Sequence, residues 1–147
     1  MKSEPGECSI DDALAAPGRR VSWFGIRNYQ ARNFMRDDMT IGDAVLFYHS
    51  SCAKPGIAGI ARIASDVYPD ELQFDPESEY YDPKSTKENP RWLTLDVEAL
   101  FKCPVVEIGR LREEPELAGM RVLQKGNRLS ITPVEKEEFA FIVRNLL

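Results

Sequence analysis

The feature of this sequence that most constrains its fold is the short spacing between its predicted strands. Five or six short segments show the apolar or alternating pattern of β-strands, and short helical segments separate them. A regular βαβ crossover needs a connection of about a dozen residues or more, which most of these intervals cannot hold. The spacing therefore argues against a Rossmann-type sheet. It favours an α+β fold, in which helices pack over the ends of a small curved or closed sheet.

The predicted strands are marked by their apolar residues. The clearest is Ala44–His49, a near-continuous apolar run that predicts a strand buried on both faces. Residues 57–67 also form a predicted strand, whose small side chains allow a bend or close packing. Residues 92–101 alternate between apolar and polar side chains, as a half-buried strand does. Three shorter strands are predicted at residues 2–5, 20–23 and 128–132.

Helices are predicted where a capping residue or a helical periodicity occurs. Ser9 can cap a short helix over residues 9–14, because its side-chain oxygen can accept a hydrogen bond from the first turn. Residues 135–147 carry apolar side chains at helical spacing, which predicts an amphipathic C-terminal helix. Shorter helical segments are predicted at residues 106–112 and 116–120. With no repeat, linker or low-complexity tract, residues 1–147 are predicted to form a single domain.

One long segment has no clear periodicity. It runs from Pro69 to Pro90, contains Tyr80 and Tyr81 near its centre, and is punctuated by four prolines. Its length exceeds the roughly 12–15 residues of an ordinary structureless loop. We therefore expect either a flap over a functional site or a segment wrapped on the surface.

Composition limits the classes of function. The net charge of −5 argues against a broad, non-specific grip on duplex nucleic acid, which requires many cations on phosphates. No apolar run approaches the roughly 20 residues of a membrane helix, and the N-terminus lacks a signal peptide's apolar segment, so we expect a cytoplasmic protein. The three cysteines, Cys8, Cys52 and Cys103, lack the spacing of a disulfide framework or a zinc site. We expect no metal and no cofactor.

The stretch from Trp23 to Arg36 combines aromatic, glycine and arginine residues in one predicted strand-to-helix turn. Gly25 permits a tight turn or a close approach, and Asn28 is a suitable helix N-cap. One face of the following helix can enter a core. The other face carries three side chains that can meet a ligand or water: Tyr29, Arg32 and Arg36.

Several blocks of the chain, in order, resemble the EVE domain family. They are Lys2-Ser3-Glu4-Pro5, Gly25 to Asn33, Phe47-Tyr48-His49-Ser50, Pro55 to Gly59, Asn89-Pro90-Arg91-Trp92 and Gly126 to Ser130. The resemblance covers essentially the whole chain. It implies a PUA-like fold, a small mixed β-barrel with helices, and kinship with YTH domains, which bind a methylated base in an aromatic cage. Family members commonly carry a few more apolar residues before the first block. Here, either the first strand is short or the chain starts further upstream.

The residue types in these blocks suit an unstacked nucleotide. Arginine offers a planar fork for phosphate or a base edge, and aromatic rings offer stacking faces. Serine and amide side chains supply the donors and acceptors that read a base edge. Together, these considerations predict twelve ligand-binding residues: Ser3, Trp23, Arg27, Asn28, Tyr29, Arg32, Asn33, Tyr48, His49, Trp92, Asn127 and Arg128.

Several of these residues also have a purely structural interpretation. Aromatic residues such as Trp23, Tyr48 and Trp92 are common in protein cores. Arg32 can belong to a solvated helix face, and Arg128 can pair with one of the many acidic residues. Asn127 can serve only a turn.

An enzymatic site is less well supported. His49 is the sole histidine, and Cys52 lies close to it in sequence, so a Cys–His nucleophile is conceivable. Proximity in a loop does not set hydrogen-bond geometry, however, and no orienting partner is identifiable. A histidine at a strand end is more often a structural hydrogen-bonding group. The sequence contains no Gly-rich phosphate loop and no metal-binding motif.

These observations favour a binding module that is not an enzyme. Its expected ligand is a modified base, methylated by analogy with the family, in single-stranded or flipped-out DNA or RNA. The nucleobase and its modification follow from the resemblance, whereas stacking and phosphate contacts follow from the residues. Two alternatives remain: an enzyme acting on a small nucleotide-like ligand in the same pocket, and a protein-interaction module that uses residues 69–90.

Overall fold

A five-stranded mixed sheet forms the centre of this computed structural model, which describes all 147 residues. Two short strands form a second sheet beside it. The strands are β1 (Lys2–Ser3), β2 (Arg20–Ser22), β3 (Ala44–His49), β4 (Gly56–Ile63), β5 (Tyr68–Pro69), β6 (Leu93–Thr94) and β7 (Asp96–Glu107). The large sheet has the order β1-β3-β4-β7-β2, and β5 pairs with β6.

The large sheet curls into a half-barrel, which confirms the predicted PUA-like architecture. β1 runs parallel to β3, and every other pair in the sheet is antiparallel. β1 and β2 occupy opposite edges and are not paired with each other. Both edges nevertheless line the same cavity, through Lys2 and Ser3 on one side and Val21 and Ser22 on the other. The cavity thus lies at the open seam, where a closed barrel would join its edges.

The predicted burial of β3 on both faces is confirmed. Val45 and Phe47 point into one hydrophobic cluster, and Leu46 and Tyr48 point into another. This alternation follows from the period of two in a β-strand. The curled sheet therefore separates two cores, and helices cover both of its faces.

Four α-helices complete the fold: α1 (Ile10–Ala15), α2 (Tyr29–Asn33), α3 (Ile108–Arg112) and α4 (Lys136–Asn145). The predicted caps are present, because Ser9 accepts from the amide of Asp12 and Asn28 accepts from the amide of Ala31. α2 continues as a wider π-helical turn over Phe34–Asp38. Short 3₁₀ turns occupy Pro17–Arg19, Glu71–Phe74, Pro115–Leu117 and Arg121–Leu123. None of the helices has the length and hydropathy needed to cross a membrane.

Some predicted element boundaries were wrong. Residues 128–132 are not a strand; Lys2 donates one backbone hydrogen bond to Ser130 (2.7 Å), but no ladder follows. The predicted helix from residue 106 begins at Ile108, because β7 stays paired with β4 as far as Glu107. Residues 128–132 lack pairing with a distant strand and residues 106–107 have it, and local sequence pattern does not report such pairing.

Residues 69–90 wrap around a buried glutamine. Gln73 is fully buried, and its amide nitrogen donates to the carbonyl oxygens of Asp70 and Trp92 at 2.8 Å. Its amide oxygen accepts from the Trp92 amide at 3.0 Å and from the Ser85 hydroxyl at 2.5 Å. Four hydrogen bonds on one buried side chain join the start of this segment to Trp92, just after its end.

His49 joins β3 to the start of α1. Its Nε2 accepts a hydrogen bond from the backbone amide of Ile10 at 3.0 Å, which satisfies a first-turn donor that the helix itself cannot. This bond requires an unprotonated Nε2. Burial lowers the pKa of His49 below its usual 6.5, consistent with a neutral imidazole. The structure thus favours the structural interpretation of His49, not its predicted contact with a ligand.

The lowered pKa predicts a pH-dependent stability. The unfolded chain takes up a proton on His49 more readily than the folded protein does. The contribution of His49 to the free energy of unfolding is therefore fully present above about pH 6.5 and falls as the pH drops below that value. We expect the melting temperature of the wild-type protein to fall between about pH 7.5 and pH 5.5 more steeply than that of His49→Gln, which keeps an acceptor but cannot be protonated. Thermal melts across this range measure the difference. Identical pH dependence in the two proteins would contradict the prediction.

Gly56 marks a close approach of β4 to β7. A Cβ atom at this position would overlap the backbone carbonyl of Val106, which cannot move without displacing the strand. We expect Gly56→Ala to lower the free energy of unfolding by about 1–3 kcal/mol, measured by urea denaturation. Gly109→Ala in α3 is the matched control, because a Cβ there meets nothing within 4 Å. It should be neutral or slightly stabilising. Equal effects of the two substitutions would refute the steric explanation.

Candidate functional site

The candidate site is a cavity of about 550 Å³ at the open seam of the sheet. Most of its lining is polar: 6 of the 17 lining residues are hydrophobic. A second cavity of about 510 Å³ is lined by residues of both hydrophobic clusters, and 14 of its 21 lining residues are hydrophobic. Recognition of a polar ring requires convergent donors and acceptors beside apolar faces, and the seam cavity is the more polar of the two.

Three aromatic side chains line the seam cavity. Trp23 follows β2, is 6% exposed and packs edge-on against Phe47, with ring centroids 5.3 Å apart. Phe24 is 46% exposed and meets Tyr80 edge-on at 6.0 Å. Trp23 therefore belongs to both the core and the cavity, whereas Phe24 and Tyr80 stand nearer solvent.

Tyr80 reaches the cavity from the middle of residues 69–90. Its ring lies so close to Gly25 that a Cβ there would approach it to 2.8 Å, and Gly25 also has a positive φ of 83°. The Tyr80 hydroxyl donates to Glu7 Oε1 at 3.2 Å. Burial and then the neighbouring carboxylates of Glu7 and Glu79 raise the pKa of Tyr80 to about 12, so the hydroxyl remains a donor at neutral pH.

Arg27 holds this wall in place. Its Nε donates to the carbonyl oxygen of Tyr80 at 2.9 Å, and its Nη1 contacts Asp70 Oδ2 at 3.0 Å. The same Asp70 oxygen accepts from the Gly25 amide at 2.9 Å. Asp70 is 2% exposed, and an ionised carboxylate so deeply buried requires such partners. Arg27 is thus engaged within the protein and is not among the residues that line the cavity; its contact with a flanking phosphate stays a prediction.

A second aromatic group lies outside the cavity. Tyr29 stacks on Trp92 with centroids 4.7 Å apart, and the Arg32 guanidinium lies 4.7 Å from the centre of the Tyr29 ring. Arg32 also donates to the carbonyl of Arg91 and to Asn33 Oδ1. Trp92 Nε1 donates to Asp82 at 2.7 Å. These four predicted ligand contacts, Tyr29, Arg32, Asn33 and Trp92, instead pack on one another.

Of the remaining predicted residues, some make structural contacts within the fold and others line the cavity. Asn28 caps α2, Tyr48 points into the core on the other face, and Asn127 bonds to the backbone of its own turn. Ser3 and Arg128 line the cavity, as Trp23 does. Ser3 donates to the carbonyl of Cys8 at 2.6 Å, and Arg128 forms no ion pair. The structure therefore brings three of the twelve predicted residues together at the cavity.

Sequence reasoning missed several cavity residues. Phe24 and Tyr80 belonged to stretches that stood out in the sequence, but no local pattern showed which aromatic would turn inward. The charged lining was also missed, and comprises Lys2, Glu4, Glu7 and Glu79 in addition to Arg128. Three carboxylates and two cations thus surround aromatic faces, so the cavity can both accept and donate hydrogen bonds to a flat heterocycle. Partial burial lowers the pKa of Lys2.

Known proteins are similar to this chain in sequence and in architecture. The human protein "Thymocyte nuclear protein 1" is 39% identical over 97% of this chain and 71% of that protein. A crystal structure from Pseudomonas putida has 48% identity and a TM-score of 0.91, covering 98% of this chain and 95% of that one. The crystal structure of human THYN1 in complex with 5-methylcytosine-containing DNA has 38% identity and a TM-score of 0.91, covering 98% and 94%.

The family assignment is equally extensive. A family model for the EVE domain matches residues 1–145, which span both edges of the sheet, the cavity and all four α-helices. The resemblance found in the sequence blocks is thereby confirmed. The chain belongs to the EVE domain family.

Proposed function

We propose that the seam cavity binds a methylated nucleobase in DNA and that the protein acts as a reader of that modification. The observation that carries the proposal is the cavity itself: Trp23, Phe24 and Tyr80 surround a polar space within the roughly 300–1,000 Å³ of small-molecule sites. The complex of human THYN1 with 5-methylcytosine-containing DNA supports the same ligand class, since the two chains share fold and sequence.

Binding in this cavity requires a base that has left its stack. A stacked base hides both faces, whereas a single-stranded or flipped-out base can insert between aromatic side chains. Aromatic contact suits a methylated base, because the methyl group adds apolar surface to the ring. Phosphates flanking the inserted base would meet Lys2 and Arg128, the two cations of the cavity.

The alternatives have less support. The Nε2 of His49 is engaged by the Ile10 amide, and no hydrogen bond joins His49 to Cys52, so the conceivable nucleophile lacks its base. Residues 69–90 contribute a cavity wall through Tyr80, which favours a role in base binding over a separate protein-docking role. RNA binding, kinship with YTH domains and a cytoplasmic location stay predictions of the sequence.

Replacing Tyr80 tests whether the seam cavity is the base site. We expect Tyr80→Ala to weaken binding of a single-stranded oligonucleotide with one 5-methylcytosine by about 5- to 150-fold, the equivalent of about 1–3 kcal/mol of stacking. Fluorescence anisotropy measures the affinity, and a thermal melt confirms that the variant is folded. Tyr29→Ala is the matched control, because Tyr29 is an exposed aromatic outside the cavity. If only Tyr29→Ala weakens binding, the stacked pair of Tyr29 and Trp92 outside the cavity is the base site instead.

The sparse cations of the cavity predict a weak salt dependence. A few phosphate contacts should give a slope of log K against log salt of about −1 to −3 for single strands. We expect Arg128→Gln to make this slope shallower by about 0.7, the share of one phosphate contact. Arg144→Gln removes the same charge from exposed α4 and should leave the slope unchanged. A wild-type slope near −6, or equal effects of the two variants, would indicate a broad basic track.

A further inference from the structure

Glu7 places a carboxylate on the wall of the seam cavity. It lies in the turn between β1 and α1, where its backbone amide donates to the carbonyl of Glu4 at 2.9 Å. Its Oε1 accepts from the Tyr80 hydroxyl at 3.2 Å, whereas its Oε2 has no hydrogen-bond partner in the protein. One oxygen of the carboxylate is therefore held by an aromatic wall of the cavity, and the other is free to accept from a ligand.

An ionised carboxylate can only accept hydrogen bonds. Cytosine presents an exocyclic amino group at position 4, whereas thymine presents a carbonyl oxygen there. A carboxylate accepts from the amino group, and it repels the lone pairs of the carbonyl. Acidic side chains that accept from cytosine N4 are an established pairing in base recognition.

We propose that Glu7 selects bases that carry an amino group, so that the cavity binds 5-methylcytosine and rejects thymine. The inference rests on the proposed function and names a base class for the same site. The two bases carry the same methyl group, so aromatic contact alone separates them poorly. The carboxylate provides the discrimination that the apolar walls lack, because a site built to bond one polar group disfavours an analogue without it.

Glu7 is favoured over the other two carboxylates by its geometry. Glu4 and Glu79 also line the cavity, and Glu79 lies near enough to Tyr80 to help raise its pKa, but the Tyr80 hydroxyl donates to Glu7, at 3.2 Å. This bond fixes one oxygen of the Glu7 carboxylate on the aromatic wall. A pre-positioned acceptor loses less conformational freedom when the base enters.

The test uses single-stranded oligonucleotides that differ only in one central base: cytosine, 5-methylcytosine, thymine or uracil. Single strands avoid the cost of opening a base pair, which would differ between the four bases. We expect the wild-type protein to bind 5-methylcytosine about 5- to 150-fold more tightly than thymine, the range of one well-placed base contact. Cytosine should likewise be preferred over uracil, which isolates the amino group from the methyl group.

Glu7→Gln is the decisive variant. The amide retains an acceptor for the Tyr80 hydroxyl, but it can turn either an oxygen or an amino group toward the base. We expect its preference for 5-methylcytosine over thymine to fall to within about threefold, while its preference for 5-methylcytosine over cytosine persists. Glu77→Gln removes the same charge outside the cavity and should retain the wild-type ratio, whereas Glu79→Gln tests the other cavity carboxylate beside Tyr80. Melting curves establish that every variant is folded.

The outcomes separate this inference from the proposed function. Equal wild-type binding of thymine and 5-methylcytosine, both tighter than cytosine, overturns the role of Glu7 and leaves methyl recognition intact. Equal binding of cytosine and 5-methylcytosine, both tighter than thymine and uracil, supports selection of the amino group and refutes methyl recognition. Retention of the wild-type ratio in Glu7→Gln, or its loss in Glu79→Gln alone, overturns the assignment to Glu7.

Discussion

The architecture of the site depends on one buried carboxylate, Asp70. Its Oδ2 accepts from the amide of Gly25 and from Arg27 Nη1, and its Oδ1 accepts from the amide of Leu72. These bonds join the turn after β2 to the segment that carries Tyr80. An unpaired Asp70 carboxylate at 2% exposure would strongly destabilise the fold, so the bonds from Gly25, Arg27 and Leu72 are all needed to stabilise it. The two main walls of the cavity are thereby held in one arrangement.

The incompletely closed sheet explains why a cavity exists at this place. β1 and β2 lie at opposite edges of the order β1-β3-β4-β7-β2, and curling brings them to opposite sides of one gap. Edge strands leave backbone donors and acceptors unpaired, whereas in a closed barrel the two edge strands would hydrogen-bond to each other. In this protein the gap is lined by aromatic and charged side chains. The same curvature that shields the core thus creates a concave polar site, which residues 69–90 complete with Glu79 and Tyr80.

The arginines of this protein differ in whether their guanidinium groups are bonded within the fold or left at the cavity. Arg27 and Arg32 look suited to phosphate in the sequence, but their guanidinium groups bond to Asp70, to backbone carbonyls and to Asn33. Arg128 and Lys2 are the cations left at the cavity. Under the proposed function, an acidic chain with so few cations at its site would gain much of its affinity from the base. This is the energetic balance expected of a protein that distinguishes bases and does not simply hold a nucleic-acid backbone.

The sequence by itself determined the features that depend on neighbouring residues. The apolar run of β3, the caps at Ser9 and Asn28, and the C-terminal amphipathic helix all follow from patterns a few residues long. Ordered blocks along the chain likewise identified the EVE family and its fold. Only the tertiary structure decided which side chains meet at the cavity. Arg27 contacts Asp70, which is 43 positions away in the sequence, and Tyr80 contacts Glu7, which is 73 positions away. Curling of the sheet and wrapping of residues 69–90 bring these distant segments together. An aromatic residue has the same local pattern whether it faces a core, a neighbouring ring or a ligand, and packing of the whole chain selects among these environments.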